Sequence, residues 1–162
     1  MTLAAGVNSF RATIGSPDDP GADLDLFVYD CADATDDATT LAGCTLRGQS
    51  ADGDSEESVT ITNPLVLRAG TWVVVVDGFA IPAGSTTFDY IDVYTTAPPL
   101  GTIDVDDTSE LRATGAEWTF NAAITANAAP GSGRVLYGSV EVRTTDNVLV
   151  GRSQVIIEDA AP

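Results

Sequence analysis

The side chains best suited to chemistry in this chain are carboxylates. The stretch GADLDLFVYDC sets Asp23 and Asp25 two positions apart beside an apolar run. The stretch ADGDSEES gathers Asp52, Asp54 and Glu57 into one short segment. Hard oxygen ligands at such spacing suit Ca2+. Two carboxylates about 7 Å apart along a strand could share a cation with a loop. Asp18 and Asp19, in the preceding turn SPDDPG, lie within reach of that pair. The competing reading is that Asp23 and Asp25 solvate a sheet edge and discourage pairing between molecules, and the sequence favours it. ADGDSEES lacks the twelve-residue frame and terminal bidentate Glu of an EF-hand. It reads first as a β-turn around Asp52 and Gly53, with Glu57 orienting the loop.

Nucleophilic catalysis has little to draw on. The chain has no His, and all seven of its basic residues are Arg. A Ser-His-Asp triad and a Cys-His pair are therefore excluded within it, as is a His-ligated zinc or copper site. A carboxylate pair could do acid–base work, but none sits in an aromatic-rich, cleft-like context. The expectation is a non-enzyme.

The charge balance narrows the partners. Against the seven Arg stand 24 acidic residues, for a net charge of −17. Nothing here neutralises a phosphate backbone, so nucleic acid is not an expected partner. An anionic membrane surface is equally disfavoured, and no run reaches the length of a membrane span. The acidity favours solubility, divalent cations or a high-salt setting. It is concentrated in residues 1–97, where 15 acidic residues face 3 basic ones, and is weaker in residues 98–162, where 9 face 4.

Cys31 and Cys44 are the only cysteines, and they flank a polar, Asp- and Thr-rich segment. That pattern suggests a disulfide-closed surface loop, with two free thiols as the alternative. The bond would stabilise by roughly 3 kcal/mol in the loop-entropy model and implies an oxidising compartment. The opening MTLAAGVNSF lacks the basic start and long apolar core of a signal peptide. A secreted origin then implies a piece cut from a longer precursor.

These residues must be positioned by strands. Helical signals are nearly absent, while short runs of high β propensity alternate with Gly, Pro, Asn and Asp clusters. VNSFRATI reads as a strand. DLDLFVYD is another, with Leu24, Leu26 and Val28 on one face and Asp23, Asp25, Phe27 and Tyr29 on the other. SVTITNP is a third, ended by Pro64. The unbroken apolar run in GTWVVVVDGF predicts a central strand covered on both faces. Asp77, at its end, is the carboxylate expected to be buried and bonded to turn amides. TTFDYIDVYT alternates again. Trp72, Phe79, Phe88, Tyr90 and Tyr94 read as core in preference to a ligand-binding face. Pro98 and Pro99 in TTAPPLG mark a boundary. Beyond it, GTIDVDD, EWTFNAAITA, RVLYGSVEVRT and VLVGRSQVIIE predict four more strands, with TTDN as a hairpin turn. AAPGSGR reads as an exposed loop, and DAAP as the start of a linker. The predicted fold is an all-β sandwich over 1–97 followed by a small β-domain over 98–162.

Four collinear segments, GADLDLFVYDC, ESVTITNP, AGTWVVVVDGF and PAGSTTFDYIDVYT, resemble the pre-peptidase C-terminal domain and the fibronectin-III-like domain. Both follow the catalytic domain of secreted bacterial subtilisin-like serine peptidases. Residues 98–162 resemble, more loosely, the small Ig-like segment that often comes next. The resemblance implies a jelly-roll or Ig/fibronectin-III-like sandwich in an extracellular or cell-surface, non-catalytic appendage. Its partner would be the peptidase domain of the same precursor, or a polymeric protein or polysaccharide substrate. Some relatives in bacterial collagenases bind Ca2+, but no ligand set carries over residue by residue. The rival readings are an adhesive β-domain of a bacterial surface protein and a carbohydrate-binding module.

Overall fold

A computed structural model describes residues 1–62 and 65–158. It divides the chain into two compact units, Met1–Pro98 and Pro99–Pro162. Every regular element among the described residues is a β-strand, and every pairing is antiparallel.

The N-terminal unit contains seven strands: β1 (Thr2–Leu3), β2 (Val7–Gly15), β3 (Asp23–Asp30), β4 (Thr45–Ser50), β5 (Ser58–Ile61), β6 (Gly70–Ala80) and β7 (Asp89–Thr96). They form a four-stranded sheet in the order β1-β6-β3-β4 and a three-stranded sheet in the order β5-β2-β7. The period-2 pattern of β3 decides which face turns inward: Leu24, Leu26 and Val28 are buried, and their alternates are half-buried. From the other sheet come Phe10, Ala12 and Ile14 of β2 and Val59 and Ile61 of β5. Trp72 closes the core with none of its surface exposed, its Nε1 donating to the Arg68 carbonyl at 3.1 Å. Each fully buried large aliphatic or aromatic side chain contributes about 1.5–3 kcal/mol, so the unit carries its own hydrophobic core. Gly48 lets β4 pass close to β5: a Cβ there would lie 2.5 Å from Val59 Cγ1.

Several expectations need correction. β1 and β4 are too short or too polar to have been read as strands; β1 joins by pairing with Thr71 and Gly70 of β6. The Val run does lie inside a sheet, but Val73 and Val75 are only half-buried and are not among the side chains packed on the core. The strand is thus covered on one face only. Of the aromatics expected in the core, Trp72 is there and Tyr94 packs against it. Phe79, Phe88 and Tyr90 are exposed instead. Phe88 precedes β7, and Phe79 lies at the end of β6, where the sandwich no longer covers the strand. Pro64 and the DAAP segment lie outside the described residues.

The C-terminal unit has two antiparallel pairs. β8 (Gly101–Asp106) pairs with β9 (Asn121–Ala126), and β10 (Leu136–Arg143) pairs with β11 (Leu149–Ile157). The predicted TTDN turn closes the second pair: Asn147 adopts φ 63° and its N–H donates to the Thr144 carbonyl at 2.9 Å. Gly138 admits the tip of Ile103, since a Cβ there would lie 2.7 Å from Ile103 Cδ1. Glu141 bonds Arg143 along β10 and Arg152 across on β11. None of this unit's described residues is buried.

Candidate metal site on the N-terminal sandwich

The loop between β4 and β5 is folded by its own short polar side chains. The Asp54 N–H donates to Asp52 Oδ1 at 3.2 Å and the Glu56 N–H to Asp54 Oδ1 at 2.7 Å, two Asx turns in succession. Buried Ser55 donates from Oγ to the Ala22 carbonyl at 2.7 Å, and the Leu24 N–H donates to the Asp54 carbonyl at 3.3 Å. Both bonds pin the loop to the start of β3. Glu57 is only 1% exposed. Its carboxylate accepts the Asp52 N–H at 2.9 Å and the Ser50 hydroxyl. That is the orienting role the sequence suggests for it.

One carboxylate oxygen from each of Asp52, Asp54 and Glu57 lies within 4.8 Å of the others. Oxygens bound to one Ca2+ at 2.3–2.6 Å lie at most about 5 Å apart, so the trio fits one such ion. Asp23 and Asp25 stand on the outer face of β3 near this loop. In the β3–β6 register Asp25 is directly opposite Asp77, and like charges in that relation destabilise a sheet. Burial pushes the Asp25 carboxyl above its ordinary value, and Asp23, Asp77, Glu57 and Asp52 push it further in the same direction. Asp23 adds a buried Oδ1 with no hydrogen-bond partner. The candidate residues Asp23, Asp25, Asp52, Asp54 and Glu57 thus come together at one end of the four-stranded sheet, and Asp77 joins them.

Asp77 corrects the sequence reading: it is exposed and lies within β6 rather than buried in a turn. The buried Asp is Asp30, with none of its surface exposed. Strand parity could have found it, because Asp30 continues the inward series Leu24, Leu26, Val28. Burial pushes its carboxyl up. Hydrogen bonds from Arg68, Arg47 and the Ala32 N–H outweigh that and hold it below the usual carboxylate range. Arg47 Nη2 and Arg68 Nε each lie 2.9 Å from Asp30 Oδ2. Arg68 also grips Asp33 from Nη1 at 2.6 Å and Nη2 at 2.9 Å. Two of the three Arg of this unit are therefore committed to the opposite end of β3, away from the acidic cluster. Asp18 and Asp19 do not join the cluster; they bond Thr87 and the Ala83 N–H.

The two cysteines form a disulfide, with Cα atoms 4.5 Å apart, that closes the loop after β3. The bond is consistent with an extracellular location. No helix among the described residues is long and apolar enough to cross a membrane. Comparison with protein-family models, curated proteins and solved structures gives no match for this chain.

Proposed function

We propose that this chain is a non-catalytic accessory module of a secreted bacterial subtilisin-like peptidase, and that Ca2+ held by Asp52, Asp54 and Glu57 fastens its N-terminal sandwich. The observation that carries the cation reading is a cluster of carboxylates packed on one sheet end, with Arg47 and Arg68 both drawn to Asp30 at the other. Such an arrangement is self-repelling, and a divalent cation relieves the repulsion. The module reading rests on the four collinear segments, and on a chain without His or Lys. In this role the domain docks, stabilises or targets the peptidase, or holds its polymeric substrate.

The cation test is thermal unfolding in calcium chloride against sodium chloride at equal ionic strength. A ligand at a hundred times its Kd stabilises the native state by about 2.7 kcal/mol. Screening of self-repulsion raises Tm in both salts alike. The expected result is a calcium-specific rise that Asp54→Ala removes. An equal rise in both salts eliminates the site. The module reading is tested separately by hydrolysis assays on casein, peptide esters and polysaccharides with the purified chain. Blank readings are expected. Reproducible turnover, abolished by one Asp or Glu substitution, defeats the non-catalytic assignment.

A further inference from the structure

The two outer faces of the N-terminal sandwich differ in arrangement. On the three-stranded sheet the outward residues of β2 are Ser9, Arg11 and Thr13, which pair with Thr95, Val93 and Ile91 of β7, so polar or charged side chains stand opposite the apolar ones there. On the four-stranded sheet the register reads Tyr29 opposite Val73, Phe27 opposite Val75 and Asp25 opposite Asp77. All four apolar members are half-buried, and none is among the side chains packed on the core. The second sheet of the sandwich lies against the other side, on Leu24, Leu26 and Val28. A contiguous apolar strip on a face turned away from the core is a candidate interaction surface.

The geometry points to a docking surface for a protein segment that presents an aromatic or aliphatic side chain beside a Lys or Arg. Charge complementarity selects this occupant. The apolar ladder Tyr29/Val73 and Phe27/Val75 runs without a break into the carboxylate pair Asp25/Asp77, with nothing cationic opposite either carboxylate in the register. A ligand covering the strip must therefore bring positive charge to its acidic end. Successive outward positions on a strand are about 7 Å apart, so the apolar group and the cation of the partner stand at that separation. Residues two apart on an extended segment, or three to four apart on a helix, meet the requirement. An acidic or purely apolar segment does not, because each would leave the carboxylates desolvated and unpaired. The inference goes beyond the accessory-module reading and depends on neither Ca2+ nor the peptidase.

The test uses the full chain in calcium-free buffer and two short fluorescein-labelled peptides. Both alternate Thr with Phe, and every other Phe is replaced by Arg in one peptide and by Glu in the other. Anisotropy titration should show saturable binding of the Arg peptide and none of the Glu peptide. Asp25→Asn/Asp77→Asn and, separately, Phe27→Ser should each weaken binding about tenfold, equivalent to 1.4 kcal/mol. Arg11→Ala, on the opposite sheet, should leave it unchanged. The Asp→Asn pair removes like-charge repulsion and keeps the fold, so a loss there reports binding. Failure of the Arg peptide to bind, equal binding of the Glu peptide, or indifference to both sets of substitutions overturns the proposal. None of these outcomes bears on the calcium-specific Tm rise.

Discussion

An Arg47→Met/Arg68→Met double variant unfolds its N-terminal sandwich at a stability lower by about 3–5 kcal/mol, the usual cost of leaving a buried charge without its partners. The site at risk is the Asp30 carboxylate, fully buried at the end of β3 and held by both guanidinium groups. The pH profile identifies the mechanism. In the native chain the folded-state value of Asp30 lies below the unfolded one, which is about 3.9. Its contribution is therefore complete above that value and disappears as pH falls through the lower folded one. Without the two Arg, burial is opposed only by the weaker hydrogen bond from the Ala32 N–H, and the folded-state value rises above the unfolded one. The sign then inverts: stability falls as pH rises between the two values, and mild acid partly restores it. Asp30→Asn removes the titration and costs less, about 1.5–3 kcal/mol, because Arg47 and Arg68 are partly exposed and recover water. Urea unfolding followed by Trp72 fluorescence, in a Trp118→Phe background, reads all three proteins. A double variant with native stability, or with an unchanged acid limb, would show that the Asp30 network holds nothing.

How much of this was legible in the sequence depends on whether one strand or two had to be read. Within β3 the alternation alone places Leu24, Leu26 and Val28 inward and Asp23, Asp25, Phe27 and Tyr29 outward, as the fold has them. The same parity extends to Asp30, the next inward position of the strand, which the sequence reading left unassigned. Asp77 was misplaced because its neighbourhood is set by pairing: only the β3–β6 register puts it opposite Asp25. The Val run misled for a related reason. An apolar stretch records that both faces avoid water, but not whether the second face meets a layer of this chain. The loop trio was visible as a DGD-E spacing. Its tightness comes from Ser55 and Leu24 bonding across to other elements, contacts that local sequence does not encode. β4 escaped notice because TLRGQS has no apolar alternation. It is a strand because its backbone pairs with β3, and the bulge between Val28 and Tyr29 accompanies the turn of Arg47 toward Asp30.

The disulfide and the Asp30 network act on the same loop, and that coupling is measurable. Cys31 and Cys44 stand 13 positions apart in the sequence, and closing a loop of that size stabilises by about 3 kcal/mol through the unfolded chain. Cys31→Ser/Cys44→Ser should lower stability by that amount, and reductant should do the same to the native chain. Alkylation without reductant should add no mass before reduction and two adducts after it. The loop also has its own fastenings. Asp37 accepts the Thr39 N–H at 2.8 Å, and the Asp37 N–H donates to the Ala42 carbonyl at 2.9 Å. Arg68 holds the loop to the sandwich through Asp33 while it neutralises Asp30. With the disulfide gone, the loop samples more conformations and the Arg68–Asp33 pair is formed less of the time. Arg68→Met should therefore cost less in the Ser/Ser background than in the native one. The coupling in a double-mutant cycle should be about 1 kcal/mol, within the range found for residues that share a network. Asp37→Ala, whose bonds stay inside the loop, should couple to the disulfide but not to Arg47→Met. Strict additivity of Arg68→Met with the Ser/Ser pair would separate the two devices and leave the disulfide acting on the unfolded chain alone.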